Sequence, residues 1–264
     1  MYARAQEVLN VAAASADLPA PTPYDLDEHH ALATRIASEA ITLLRNEDDA
    51  LPLSSGTNVA LIGDLADTPR YQGAGSSQVN PTRLEAPREL LEAGGESARG
   101  LVLTGYAPGY ERHGGTSDAL IAEAVALAAR ADVALVYVGL DELAESEGLD
   151  RTHMRLPEGQ DRLVEAVVAT NPRTVVVLTG GASVEMPWAS SVPALVNGYL
   201  GGQGGAGAML DVLTGAVNPS GRLAETYARS LEDHPTAAWY PVTGPLSYYR
   251  EGPLLATDTS QLLA

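Results

Sequence analysis

Apolar residues in this chain fall into two kinds of run. The first kind is short and unbroken, as in NVALIGD (58–64), DVALVYVG (132–139), RTVVVLT (173–179) and ALVNGYL (194–200). Nearly every position in such a run is apolar, so both faces of the segment must be buried. That is the pattern of strands inside a parallel sheet covered on two sides. GLVLT (100–104) and the shorter RLAETY (222–227) read as two further strands.

The second kind of run repeats every three to four positions. Between Glu28 and Asn46, the residues Leu32, Ile36, Ala40, Leu43 and Leu44 share one face and predict a single long helix. Glu85–Ala93, with Pro87 near its first turn, reads as another helix, as does Ser117–Arg130. So do Gly159–Ala169, stopped by Asn171-Pro172, and Gly205–Thr214. A short helical stretch opens the chain and runs into the Pro-rich LPAPTPYD. Strands alternating with helices predict an α/β fold: a mostly parallel six-stranded sheet sandwiched between helices. Such sheets bind ligands at the carboxyl ends of their strands, so the loops after strands are the functional candidates.

Composition narrows the classes. The 264 residues are 45% hydrophobic, enough for a real core, and with no Phe and only 5% aromatics that core is aliphatic. The formal net charge of -18 argues against nucleic acid and anionic membrane surfaces as partners. Cys is absent, which removes disulfides and thiolate chemistry. No run is long and apolar enough for a membrane span, and the N-terminus lacks the basic start and apolar block of a secretory signal, so a cytoplasmic location is expected.

Three loops carry candidate chemistry. Gly202, Gly204 and Gly207 in LGGQGGAGAML spell G-x-G-x-x-G between a strand and a helix. A dinucleotide fold needs further βαβ units downstream, which the Pro-rich 228–264 region does not offer, and glycines also serve close helix–sheet packing. No cofactor is therefore expected. YQGAGSSQVNP (71–81) follows the first strand; Gly73 and Gly75 permit close approach, and Ser76, Ser77, Gln78 and Asn80 offer hydrogen bonds to a polyol. The third loop is LAESEGLDRTHMRLPEGQ (143–160), far longer than a strand-to-helix turn needs. Glu145 and Glu147 are its candidate general acids, with Asp150 and Arg151 able to pair and brace it. If extended, the two glutamates point the same way; if the loop turns, only one reaches the cleft. The five histidines are scattered, so no metal site is expected, and no G-x-S-x-G marks a serine nucleophile.

Together these segments resemble the second domain of glycoside hydrolase family 3, the β-glucosidase and β-xylosidase family. The matching pieces come in family order: SEAITLLRNEDDALPL, NVALIGDLAD with YQGAGSSQVNP, ADVALVYVGLDELAESEGLDRTHMRLPEGQ, and GGQGGAGAMLDVLTGAVNPSGRLAETY. The resemblance covers residues 28–252, the α/β sandwich domain. It makes residues 1–27 the end of a preceding barrel and its linker, and 253–264 a divergent tail.

The resemblance implies a hydrolase acting on O-glycosyl bonds of β-glucosides or related β-glycosides. The mechanism is retaining, with two carboxylates roughly 5 Å apart. In the family the nucleophile is an aspartate on a (β/α)8 barrel, and the sandwich domain supplies the acid/base from the loop matching 143–160. Its position before Asp150-Arg151 favours Glu147, with Glu145 as the alternative. Gln72, Gly75, Ser76, Ser77, Asp150 and Arg151 are the expected substrate-side residues. The expected partners are a carbohydrate and a barrel domain. The alternative is a catalytically inactive carbohydrate-binding or scaffolding fragment.

Overall fold

The structure, a computed structural model, describes residues 2–16, 18–19, 23–113, 115–234, 236–237 and 246. Six strands form one sheet: β1 (Thr42–Asn46), β2 (Asn58–Ile62), β3 (Val102–Ala107), β4 (Val133–Gly139), β5 (Thr174–Thr179) and β6 (Ala194–Asn197). Their spatial order is β1-β6-β5-β4-β2-β3, and all neighbours are parallel except β1, which pairs antiparallel with β6. The helices are α1 (Tyr2–Ala16), α2 (Leu26–Ala40), α3 (Asp64–Asp67), α4 (Pro87–Ala93), α5 (Asp118–Ala128), α6 (Gln160–Thr170) and α7 (Gly205–Leu213).

Alternation along each strand splits the core in two. Ala60 and Ile62 of β2, Val136 and Val138 of β4 and Leu178 of β5 pack against α5 and α6. Val59, Leu61, Leu135, Val175 and Val177 face the other way, onto α2, α3, α4 and α7. Burial on both faces is the reason the strands read as unbroken apolar runs. α1 is separate from both cores, with no buried residue.

Two expectations about elements need correction. The helix predicted over Glu28–Asn46 ends at Ala40, and Thr42–Asn46 is β1. Leu43 and Leu44 continue the helical spacing, but β6 presents an open edge that only an extended segment can complete. Thr42 therefore pairs with Asn197, and Asn46 with Ala194. The same pairing explains the second correction. RLAETY (222–227) is not a strand, because the edge it would have joined is already held by β1. It packs by side chain alone: Tyr227 is buried in the α5/α6 core, and its hydroxyl accepts a bond from Asn197 Nδ2 at 3.0 Å. SYYREG (247–252) and the tail at 253–264 lie outside the described residues.

After β2 the chain crosses to β3 on one side and returns to β4 on the other. The carboxyl ends of β2 and β4 are therefore the switch point of the sheet, the place where folds of this kind set their ligand sites.

Candidate active site at the carboxyl ends of the strands

Two local devices set the start of the β4 loop. Gln160, fully buried at the N-terminus of α6, accepts from the Gly139 amide at 2.8 Å and donates to the Gly139 carbonyl at 3.0 Å. It stands where another strand would pair and ends β4. Asp141 then caps a turn, its Oδ1 accepting from the amides of Leu143 (3.0 Å) and Ala144 (2.7 Å). Residues 142–145 are turn, so the extended alternative for this loop is not the one adopted, and the two glutamates separate.

Glu145 turns inward. Its carboxylate pairs with Arg70 and accepts from the Gly181 amide at 3.0 Å to each oxygen. Arg70 also donates to the Leu140 carbonyl at 3.1 Å. The exposures of the two side chains, 2% for Arg70 and 12% for Glu145, make this a buried ion pair. It joins the segments leaving β2, β4 and β5.

Glu147 turns outward. It is exposed on the rim, and its Oε2 accepts two bonds from Ser76: one from the amide at 3.1 Å and one from the hydroxyl. The Ser76 hydroxyl, and then its amide, hold the Glu147 carboxyl below its ordinary pKa by favouring the ionised form.

A second arginine clamps the front of the loop. Arg112 binds Asp64 at 2.5 Å, the Thr68 carbonyl at 2.8 Å and both oxygens of Glu142 at 2.6 and 3.1 Å. The bond from Arg112 is the main reason Glu142 is held below the usual carboxylate range. His113 faces Asp141 at 3.2 Å.

The structure brings Ser76 and Gly75 against Glu147, and it gives the other candidates different settings. Gln72 closes its own loop, accepting from the Val79 amide and donating to the Val79 carbonyl, both at 2.9 Å. Ser77 leans on the Ala74 carbonyl at 3.4 Å. The expected brace between Asp150 and Arg151 is corrected: no bond joins them among the described residues. Asp150 is exposed, while Arg151 reaches back to the Ser183 carbonyl at 3.1 Å, where a buried acceptor outcompetes a solvated one. Arg151 also borders a cavity of ≈ 260 Å³ with His153, Ser183 and His234.

A smaller cavity of ≈ 50 Å³ lies behind the Glu145 brace, between Arg70, Tyr137, Tyr199 and the glycines that open α7. Arg70 Nε and the hydroxyls of Tyr137 and Tyr199 are buried without a protein partner among the described residues. At about 10–15 Å³ per water, this space suits a few solvent molecules and is too small for a sugar ring. Sequence reasoning missed Arg70, Arg112, Asp141 and Gln160. The only signal for Arg70 was a cation directly preceding the Gly/Ser loop in an otherwise acidic chain.

Comparison with known proteins identifies the family of this fold. Residues 41–256 match the family model described as the glycosyl hydrolase family 3 C-terminal domain. The thermostable β-glucosidase B of Acetivibrio thermocellus is 47% identical over 231 residues, covering 87% of this chain and 30% of that protein. The exo-α-(1→6)-L-arabinopyranosidase of Bifidobacterium breve is 38% identical, with 83% of this chain and 30% of that protein covered. Among solved structures, the family 3 β-glucosidase of Bifidobacterium adolescentis superposes with a TM-score of 0.80 at 38% identity, covering 89% of this chain and 34% of that one. This chain thus spans about 30% of the length of these curated relatives. Its fold, its order of motifs and these matches all agree: the chain belongs to glycosyl hydrolase family 3, as a C-terminal α/β domain of that family.

Proposed function

We propose that this chain is the acid/base-bearing domain of a retaining β-glycosidase, with Glu147 as the proton donor. The observation that carries the reading is the unequal fate of two neighbouring glutamates. Glu145 is consumed by Arg70 and Gly181, whereas Glu147 stands on the exposed rim at the carboxyl ends of the strands. Glu145 then anchors the loop, and Glu147 delivers the proton to the leaving oxygen.

The nucleophilic carboxylate comes from a companion (β/α)8 barrel closing over this rim, as the family resemblance implies. Bringing the barrel close buries Glu147 beside that carboxylate. Burial and a like charge both raise a carboxyl pKa, and so reverse the depression that Ser76 causes on the exposed rim. The substrate class is a β-glucoside, the class named for the Acetivibrio relative.

The test is a fusion of this chain to the barrel portion of that relative. Glu147→Gln is expected to lower kcat/KM on an alkyl β-glucoside by about 10²-fold or more. The loss should be smaller for a dinitrophenyl β-glucoside, whose leaving group needs no proton. Retention of activity on both substrates by the Glu147→Gln fusion would refute the assignment. The chain by itself is expected to hydrolyse neither substrate.

A further inference from the structure

The Gly/Ser loop after β2 offers fewer free donors to a sugar than its sequence suggests. Tyr71, Gln72 and Ser77 are spent on its own shape, and Ser76 on one carboxylate. Gln72 ties the two ends of the loop through both its amide nitrogen and its amide oxygen. Tyr71 adds a bond to the same Val79 carbonyl at 3.2 Å. Gly75 supplies the turn with φ +80, a backbone state that favours glycine. A Cβ built on Gly75 would lie 3.2 Å from both Cβ and Oε2 of Glu147, so the loop is fitted to that side chain.

We propose that the Gly75–Ser77 turn is the seat of the Glu147 carboxylate, with Ser76 as the positioning residue that fixes its orientation. The inference deepens the reading of Glu147 as the proton donor and rests on it for its catalytic consequence. The seat holds one oxygen only. Oε2 takes both Ser76 bonds, and among the described residues Oε1 has no hydrogen-bond partner. A carboxyl group that serves as an acid needs one oxygen to carry the transferable proton. Anchoring the other oxygen leaves this one exposed and limits rotation of the group. When Oε1 is protonated, Oε2 is still an acceptor, so the seat survives the proton's arrival and departure. The cost is that two donors on one oxygen favour the ionised form, a bias the closed active site must overcome.

The experiment is a pH titration of the Glu147 carboxyl carbon by NMR in the chain itself. The signal is assigned by its disappearance in Glu147→Gln. The wild-type midpoint should lie below that of an ordinary glutamate. Ser76→Ala is expected to raise it, Ser76→Thr to restore it, and Ser77→Ala to leave it in place. Gly75→Ala, which crowds the seat, should act like Ser76→Ala. All four positions are exposed on the loops after β2 and β4, and amide spectra check that each variant is folded.

An unchanged midpoint in Ser76→Ala overturns the seat. In the barrel fusion, Ser76→Ala should lower kcat about tenfold, a fraction of the 10²–10⁴ range of acid/base catalysis, with KM held within about twofold. The basic limb of its pH profile should move to higher pH. A kcat and profile identical to wild type overturn the catalytic consequence. The two readings separate cleanly. A shifted NMR midpoint together with a fully active Glu147→Gln fusion supports the seat and refutes only the acid/base assignment.

Discussion

Glu145 and Glu147 stand two residues apart on one loop, yet they occupy opposite environments. The inner region, around Glu145, is a buried junction where Arg70, Leu140 and Gly181 draw together three loops that leave the sheet. The outer region, around Glu147, is a solvated rim where a single turn holds one carboxylate oxygen. The residue type and the local chain are the same in both. What differs is the number of segments each side chain ties together and how much water remains around it. A charge that joins three segments serves stability. A charge held by one segment, with an oxygen to spare, is available for chemistry.

The largest expected effect comes from breaking the inner region. Arg70→Met leaves the Glu145 carboxylate buried with the Gly181 amide as its one hydrogen-bond partner among the described residues, and loss of one member of a buried pair costs about 3–5 kcal/mol. Urea denaturation of the chain measures this directly. Adding Glu145→Gln to the same variant removes the unpaired charge and should recover part of the loss, giving a coupling energy well above the experimental error. A cost below about 1 kcal/mol for Arg70→Met would abolish the distinction between the two regions, since it would place Glu145 among ordinary surface charges.

A comparable effect is expected where the loop begins. Gln160→Met removes both bonds to Gly139 and leaves a buried amide and carbonyl unpaired, at a cost of about 1–3 kcal/mol for each such group left unsatisfied. Because Gln160 ends β4, hydrogen exchange at Val138 and Gly139 should quicken in this variant while exchange in β6 stays as it was. Uniform quickening across the sheet would show that Gln160 supports the whole core instead of the loop's origin.

These two residues also show how far the sequence was readable. Unbroken apolar runs such as VALVYV named the parallel strands, because burial on two faces leaves no other pattern. The charged loop after β4 could be singled out by its length, and the Gly/Ser loop by its glycines. What could not be read was pairing between distant segments. β1 looked helical until β6 gave it an edge, and RLAETY looked like a strand until that edge was taken. Arg70 and Glu145 are 75 positions apart, and no local rule joins them. The choice between Glu145 and Glu147 depends on that pairing, so spacing on the loop alone left it open.

Glu142 lies between the two extremes and sharpens the comparison through pH. It is half-exposed, and Arg112 holds its carboxyl below the ordinary value. A group whose folded pKa is depressed stabilises the fold above its unfolded pKa, and loses that contribution as pH falls through the folded value. Stability should therefore fall on acidification below the normal glutamate range, and Glu142→Gln should flatten that part of the curve. With the pair this exposed, the expected contribution is about 1 kcal/mol or less. An unchanged acid limb in Glu142→Gln would mean that Arg112 serves Asp64 and Thr68 alone.

The smallest expected change in stability belongs to Glu147. Its side chain is exposed, and its two bonds come from one exposed serine on a loop that Gln72 already holds closed. Replacing it by Gln keeps an acceptor oxygen for Ser76 and leaves no buried group without a partner, so the midpoint of urea denaturation should move by less than about 0.5 kcal/mol. Set beside an activity loss of about 10²-fold or more in the barrel fusion, this gives the outer region its signature: a large kinetic penalty with a negligible thermodynamic one. The inner region predicts the reverse order, since Arg70→Met should unfold the chain more readily before any effect on chemistry can be isolated. If Glu147→Gln instead destabilised the chain as strongly as Arg70→Met, Glu147 would be a structural tie like Glu145, and the loop would carry no residue reserved for proton transfer.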